Sequence, residues 1–408
     1  MIALNIFKQY KGLRPELYIL FWGRVVTNMG ALIWPMLTLI LKNKLGYTAG
    51  EAANLILLVG IFMLPATLLG GRMADRFNKK TLIVCCDLVT VAGYLLCGFL
   101  PNGRFMVPLL AISSIFAQVE WPSYDALVAN LSTPEERERA YSLNYLGGNL
   151  GLVLAPTLGG LLFENHLNLA FIISGFATLS STVLIFFFVK DISVSKGEGG
   201  FYEEEKKIST RELFKNGPAL VMFVVCMGIV YAIYDMAVSF MIPLTMDNNF
   251  GEKGALYLGT LTSVNALGVI IGTPVCTAAL SKIRDCHKLH MGAFFETLGF
   301  TLLAFSGKHM IMCYLSVLII TFGEVLSSLG RQPYITRRVP ASHRGRMSAV
   351  TRVNEMLLSG VCLLVAGHGA DIMPINYIWV FFIGFGILNV LLFFAMRAAD
   401  RKQFSQLY

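Results

Sequence analysis

Charge is scarce in this chain. Of 408 residues only 14% are Asp, Glu, Lys or Arg, where soluble domains carry about 25%, and 55% are hydrophobic. Such a composition excludes an ordinary water-soluble domain and calls for lipid as solvent. The short motifs of common enzymes are also missing: there is no zinc-protease motif, no nucleophile elbow and no P-loop. The eight cysteines, among them Cys85, Cys86, Cys97, Cys226 and Cys362, lie mostly within apolar runs and lack metal-type pairing, so they read as small apolar packing. No metal and no cofactor is expected, and a membrane-embedded enzyme or receptor is a remote alternative. No cleavable signal pattern precedes the first apolar run.

What the chain has instead is long apolar runs. A bilayer core needs about 20 helical residues to cross it. Twelve runs of that order begin near Leu17, Ala52, Thr81, Met106, Ala140, Leu169, Pro218, Gly254, Leu289, Met310, Met347 and Ile375. The expected fold is therefore an all-α membrane protein with twelve transmembrane helices.

The basic residues orient it, because cytoplasmic loops retain Lys and Arg while translocated short loops lose them. Lys8, Lys11 and Arg14 precede the first run, and further clusters such as Arg72 to Lys80, Lys190 to Lys215 and Arg331 to Arg352 recur on every second loop. The intervening loops hold only Lys42, Lys44, Arg104, Lys253 and Lys308. Both termini are thus expected in the cytoplasm of a cell of bacterial type, with the chain a multi-pass protein of the inner or plasma membrane. The net charge of +8 follows from this topology and gives no support to nucleic-acid binding.

The polar, densely charged stretch 190–216 divides the chain. It reads as a cytoplasmic linker, with a short amphipathic helix at Ser209 to Phe214. An N-terminal six-helix bundle over 1–189 and a C-terminal one over 217–408 are expected on either side. Arg137 and Arg139 before the fifth run match Arg344 and Arg346 before the eleventh, an echo that suggests a parallel repeat and hence two pseudo-symmetric bundles.

Two motifs add a resemblance. Gly71, Asp75, Arg76, Lys79 and Lys80, between the second and third runs, resemble the loop motif of the major facilitator superfamily, with Asn78 where a glycine is usual. Asn tolerates the left-handed turn that such a loop would need. In the fifth run Gly147, Gly151, Ala155 and Gly159 recur every four residues as a ridge for close helix packing. With Pro156 and Gly160 they are similar to the antiporter motif of the same superfamily, although Ser142 and Ala155 stand at two of its glycine positions. The chain looks most like bacterial twelve-span multidrug/proton antiporters; the opening run FWGRVVTNMG and the pair Gly323-Glu324 recur among them in similar form. What the resemblance implies is the major facilitator fold and export by alternating access. Gly71, Asp75, Arg76, Lys79, Lys80 and Asp125 are then the expected conformational gate, with Gly71 allowing close helix approach.

Ionisable side chains inside a membrane are costly and mark functional sites. Glu324 is the first choice for a proton carrier, with Glu120, Asp235 and Glu355 as further proton-coupling candidates. Arg24, Asn28, Glu120, Tyr124, Asn144, Asn149, Tyr231, Glu324 and Arg352 are expected around the substrate cavity. Arg24 is placed to pair with Glu120, and Arg352 to neutralise Glu355 three residues on. Asn144 stands where some relatives in the resemblance carry an acid. Asp87 and Glu296 are expected to be structural. Aromatic and Met side chains suit a pliable pocket.

The expected function is proton-coupled efflux of lipophilic small molecules by a monomer, with protons, membrane lipids and a small-molecule substrate as partners. The alternative is uptake or flipping of an anionic metabolite or lipid, with Arg24 binding the anionic head group. The charge pattern makes one direct prediction. Cysteines introduced at Lys206 and at Lys253 label from opposite sides of the membrane; labelling from the same side contradicts the twelve-span topology.

Overall fold

The computed structural model describes residues 10–133, 136–190, 218–280, 282–339 and 341–407. All regular structure among them is helical. The helices are α1 (Pro15–Met29, continued by short helical pieces to Lys44), α2 (Ala49–Arg76), α3 (Lys79–Phe99), α4 (Met106–Leu131), α5 (Arg137–Phe163) and α6 (Leu167–Phe188). After the linker come α7 (Pro218–Met236, continued to Phe250), α8 (Gly254–Ala279), α9 (Asp285–Ala304), α10 (Met310–Arg338), α11 (Ala341–Ile372) and α12 (Ile375–Gln403). Helices follow from the solvent: a backbone in hydrocarbon must satisfy its own N–H and C=O groups. Among the described residues nine stretches are long and apolar enough to cross a membrane. One of them, Pro218–Ala279, is 62 residues long, two spans' worth, and it breaks where Gly251 adopts φ 55°. α4 and α9 have the length but carry more polar side chains, among them Glu120, Asp125, Lys288 and Glu296. Large apolar side chains such as Phe381, Phe385, Leu388, Leu391 and Phe394 of α12 are exposed, as a lipid-facing surface requires.

The chain forms two compact units. Among the described residues the first comprises 10–47, 55–190 and 252–266, and the second 48–54, 218–251 and 267–407. The linker and its expected amphipathic helix lie outside the described residues. In the first unit α1 packs on α5 and α6, and α3 on α4 and α6; in the second α7 packs on α11 and α12, and α9 on α10 and α12. The pattern repeats with a shift of six helices. Details echo as well: Tyr124 Oη donates to the carbonyl of Leu20 at 2.8 Å, and Tyr334 Oη to that of Ala219 at 3.4 Å. Both α1 and α7 continue into a π-helical turn, Ile40–Lys44 and Ala237–Met241.

Two short segments group with the unit opposite to the one their place in the sequence suggests, and each has a local cause. Asp371 of α11 caps the start of α2, accepting from the N–H groups of Ala49 and Gly50 and from Thr48 Oγ1, each at 2.9 Å. An acid at a helix N-terminus satisfies orphan donors and the helix dipole together. Likewise Thr157 Oγ1 of α5 lies 2.7 Å from Ser263 Oγ of α8, and Gly160 abuts Ala255 while Gly259 abuts the backbone of Pro156.

The small-residue ridge of α5 seats α1. A Cβ at Gly151 would stand 2.5 Å from Asn28 Cβ and 2.6 Å from the carbonyl oxygen of Val25, and one at Gly147 2.9 Å from that of Phe21. Gly159 faces Leu32 and Ala155 is fully buried.

The α2–α3 loop departs from expectation twice. A Cβ at Gly71 would meet nothing within 4 Å, so no helix approaches there; the close approach is at Gly70, whose Cα lies hard against the backbone of Val119 in α4. Asn78 has φ −64° and is not left-handed. Instead its Oδ1 accepts from the Thr81 N–H at 2.9 Å and N-caps α3, a role Asn fills as readily as a turn. Arg76 and Lys80 are placed at this loop, Lys80 over the ring of Phe186 at 5.4 Å; the Asp75 side chain lies outside the described residues.

The glycine pair generates a test. Gly70→Val overpacks the α2–α4 contact and costs about 1–3 kcal/mol, read as a drop in thermal unfolding midpoint in detergent, whereas Gly71→Ala leaves the midpoint unchanged. The reverse order would place the close approach at Gly71 after all.

Candidate functional site

Polar side chains of the helices gather in three sets, one in the first unit and two in the second. In the first, Thr182 Oγ1 of α6 donates to Asp87 Oδ2 of α3 at 2.7 Å, and the Glu120 carboxyl of α4 lies close enough to the Asp87 carboxyl to interact with it. Asp87 is 7% exposed. Arg24 of α1 lies near enough to act on both acids through space, yet no Arg24–Glu120 ion pair forms among the described residues. The guanidinium rests on aromatic faces instead, 4.2 Å from the Trp121 ring centroid and 5.2 Å from that of Tyr124. This corrects the expected pairing. An arginine in an apolar setting finds a ring quadrupole as well as a carboxylate, and α3, α4 and α6 bring Asp87 to Glu120 first.

Other expected cavity residues are spent on packing. Asn28 Nδ2 donates to the carbonyl of Gly148 at 2.9 Å and ties α1 to α5. Tyr124 is buried against Leu20, and Asn149 Nδ2 donates to Tyr145 O within its own helix at 2.9 Å. The Oδ1 of Asn144 is buried without a hydrogen-bond partner among the described residues. Asp125 sits near the end of α4, where Tyr141 Oη donates to its backbone carbonyl at 3.0 Å.

In the second unit Glu355 of α11 is fully buried and its expected neutralisation by Arg352 is replaced: Arg331 Nη2 of α10 stands 2.6 Å from Glu355 Oε1. The contact is a close charge pair without a well-directed N–H, since neither Glu355 oxygen has an aligned donor. Arg352 lies over the ring of Tyr231 in α7 at 5.6 Å. Asp235, one turn beyond Tyr231, accepts a short hydrogen bond from Ser359 Oγ of α11. Glu324 of α10 lies close enough to Glu296 of α9 to interact with it electrostatically, and Glu296 Oε1 accepts from Ser327 Oγ at 2.9 Å. Ser328, Arg331, Gln332, Ser348, Ala349 and Arg352 line an open cavity of about 580 Å³.

A third polar set closes the basic end of the same unit. Arg338 Nε and Nη2 reach the two oxygens of Asp400 at 2.6 and 2.8 Å, Tyr334 Oη donates to Asp400 at 3.0 Å, and Asp285 stands 3.6 Å from Arg338 Nη1. Asp400 is fully buried and Arg338 nearly so, so this fork-to-fork pair holds α9, α10 and α12 together.

Sequence reasoning assigned Asp87 and Glu296 to structural duty and did not single out Arg331, Ser328, Gln332 or Ser348. One signal was available: Glu324, Ser328 and Arg331 recur at i, i+4 and i+7 and share a face of α10.

Helices with lipid-suited outer faces, acids and guanidinium groups paired within the spans, and an open polar cavity make up a membrane transport protein. The family model of the Major Facilitator Superfamily matches residues 20–361, and the chain belongs to that superfamily. It is 21% identical over 391 residues, 88% of each chain, to a Na(+), Li(+), K(+)/H(+) antiporter of Planococcus maritimus. Over 155 residues, 36% of this chain and 37% of the other, it is 30% identical to the multidrug resistance protein MdtH of Yersinia pestis (strain Pestoides F). Among solved structures it matches the peptide transporter POT in complex with sulfate at TM-score 0.77 and 16% identity, covering 95% of this chain and 94% of that one. A bacterial homologue of the human lysosomal transporter Spinster, inward-facing and unoccupied, matches at TM-score 0.71 and 15% identity, covering 96% and 99%.

The acid pair in the first unit differs from the ion pair in the second in what a neutralising substitution does. Glu120→Gln places an amide donor beside Asp87 and stays within about 1 kcal/mol of the parent. Asp400→Asn strips buried Arg338 of its main counter-ion and loses about 3–5 kcal/mol. Thermal unfolding in detergent separates them; equal large losses would mean that Glu120 is ion-paired.

Proposed function

We propose that this superfamily member is a proton-coupled exporter of lipophilic small molecules, working by alternating access with twelve spans in two six-helix bundles, 1–189 and 217–408, joined by the linker 190–216. One observation carries the coupling. The Asp87 and Glu120 carboxyls lie beside one another inside the spans, an arrangement that favours a proton shared between them. Two bare carboxylates at that distance in a low-dielectric medium repel strongly. The neighbouring Glu296 and Glu324 supply a second acid pair in the other unit. Protons loaded and released at Glu120 and Glu324 as water reaches each in turn would drive the cycle, with Asp235 and Glu355 as subsidiary acids and Arg24 and Arg352 setting the local field.

Export is supported by the antiporter-like ridge of α5 and by relatives named as an antiporter and a multidrug resistance protein. The protein is assigned to the cell membrane as a monomer in contact with lipids, with both termini cytoplasmic, and a lipophilic cargo suits the exposed rings of Trp121, Tyr145 and Trp34. Gly71, Asp75, Arg76, Lys79, Lys80 and Asp125 remain the proposed gate, with the tight contact at Gly70.

Flux in proteoliposomes tests the coupling. A pH gradient drives substrate movement in the parent. Glu120→Gln and Glu324→Gln, each mimicking a permanently protonated acid, abolish that response while substrate exchange without a gradient persists. Undiminished pH-driven flux in both variants contradicts the reading.

A further inference from the structure

The cavity in the second unit has a chemistry that the coupling acids do not explain. Its lining is Ser328, Arg331, Gln332, Ser348, Ala349 and Arg352: two guanidinium groups, a carboxamide and two hydroxyls, with no carboxyl. Each guanidinium is held from behind. Arg331 is drawn to buried Glu355 at 2.6 Å yet keeps 26% of its side chain exposed, and Arg352 lies on the Tyr231 ring at 5.6 Å. Arg352 forms no ion pair among the described residues. Guanidinium groups present several N–H donors in a planar fork that matches an oxyanion, and they are the residue of choice for that task. Two of them facing one open space inside a membrane protein are costly unless something offsets the charge.

We infer that this cavity binds a singly charged oxyanion, a carboxylate, sulfonate or phosphodiester, carried by the cargo or by a lipid headgroup. The charge balance sets the number. Glu355 is in contact with Arg331 and acts on Arg352 through space, so no carboxylate touches Arg352 among the described residues. A second negative charge on the ligand would face Glu355 behind Arg331, Glu324 one turn from Ser328 on α10, and Asp235 one turn from Tyr231 on α7. The site therefore selects monoanions over dianions. The cargo so described is an amphiphile, with an apolar body and one anionic group. The inference rests on the transport reading only for calling the occupant cargo; the binding itself is independent of any proton gradient.

The test measures binding by shift of the thermal unfolding midpoint and by calorimetry, without a gradient, so that its failure leaves the coupling reading standing. Benzoate and dimethyl phosphate are the soluble probes, sulfate the dianion, and sodium chloride the control for general screening. Nanodiscs of phosphatidylcholine with and without phosphatidylglycerol supply the lipid arm. Saturable stabilisation by the soluble monoanions, weaker with sulfate and reduced roughly tenfold or more in affinity by Arg352→Gln, supports a soluble or cargo-borne anion. Arg352-dependent stabilisation by phosphatidylglycerol alone supports a lipid headgroup. Arg331→Lys, which leaves a cation for Glu355 and so preserves the fold, weakens binding in either case, and Lys308→Gln does not. Equal anion effects in the parent and in Arg352→Gln, or a chloride effect of the same size, overturn the inference.

Discussion

A charged or unpaired polar group inside hydrocarbon has only protein to bind, and this constraint shapes the molecule at every scale. It makes the elements helical. It also decides what happens to the few polar side chains inside them. Thr182 Oγ1 serves both the Thr178 carbonyl and Asp87, Asn28 serves Gly148, Asn389 Nδ2 serves the Cys226 carbonyl, and Arg338 is enclosed by Asp400, Tyr334 and Asp285. Other charged groups within the helices lie beside one another or on aromatic rings. They are the acid pair Asp87–Glu120, the acids Glu296 and Glu324, and the guanidinium groups of Arg331 and Arg352.

The two units solve the same problem with the same packing. In each, the first helix lies on the fifth and sixth, the third on the fourth and sixth, and a tyrosine on the fourth helix donates to a carbonyl of the first. Yet they differ in where charge is kept. Both have an arginine on a ring, Arg24 and Arg352, and neighbouring acids, Asp87 with Glu120 and Glu296 with Glu324; the second adds the ion pairs Arg331–Glu355 and Arg338–Asp400 within its helices.

Much of the helical fold was legible in the sequence, because span length and the four-residue ridge of α5 are properties of one helix at a time. The side-chain partners were less so. Helical periodicity says which residues share a face and is silent about which neighbouring helix that face meets. Hence Glu120 was matched with Arg24 when α3 delivers Asp87, and Glu355 with Arg352 on its own helix when α10 delivers Arg331. The same limit put the close approach at Gly71, one residue from Gly70, where a step of one residue turns a helix by about 100°. Asn78 was open to two readings because asparagine serves both left-handed turns and N-caps.

The proposed coupling rests on a proton held between Asp87 and Glu120 within the membrane. Infrared difference spectroscopy on the reconstituted protein reads it directly, since a protonated carboxyl and a carboxylate absorb separately. At neutral pH the parent minus Glu120→Gln spectrum should contain the carbonyl stretch of a protonated carboxylic acid, shifted in deuterium oxide. A difference spectrum with carboxylate bands alone would contradict the claim.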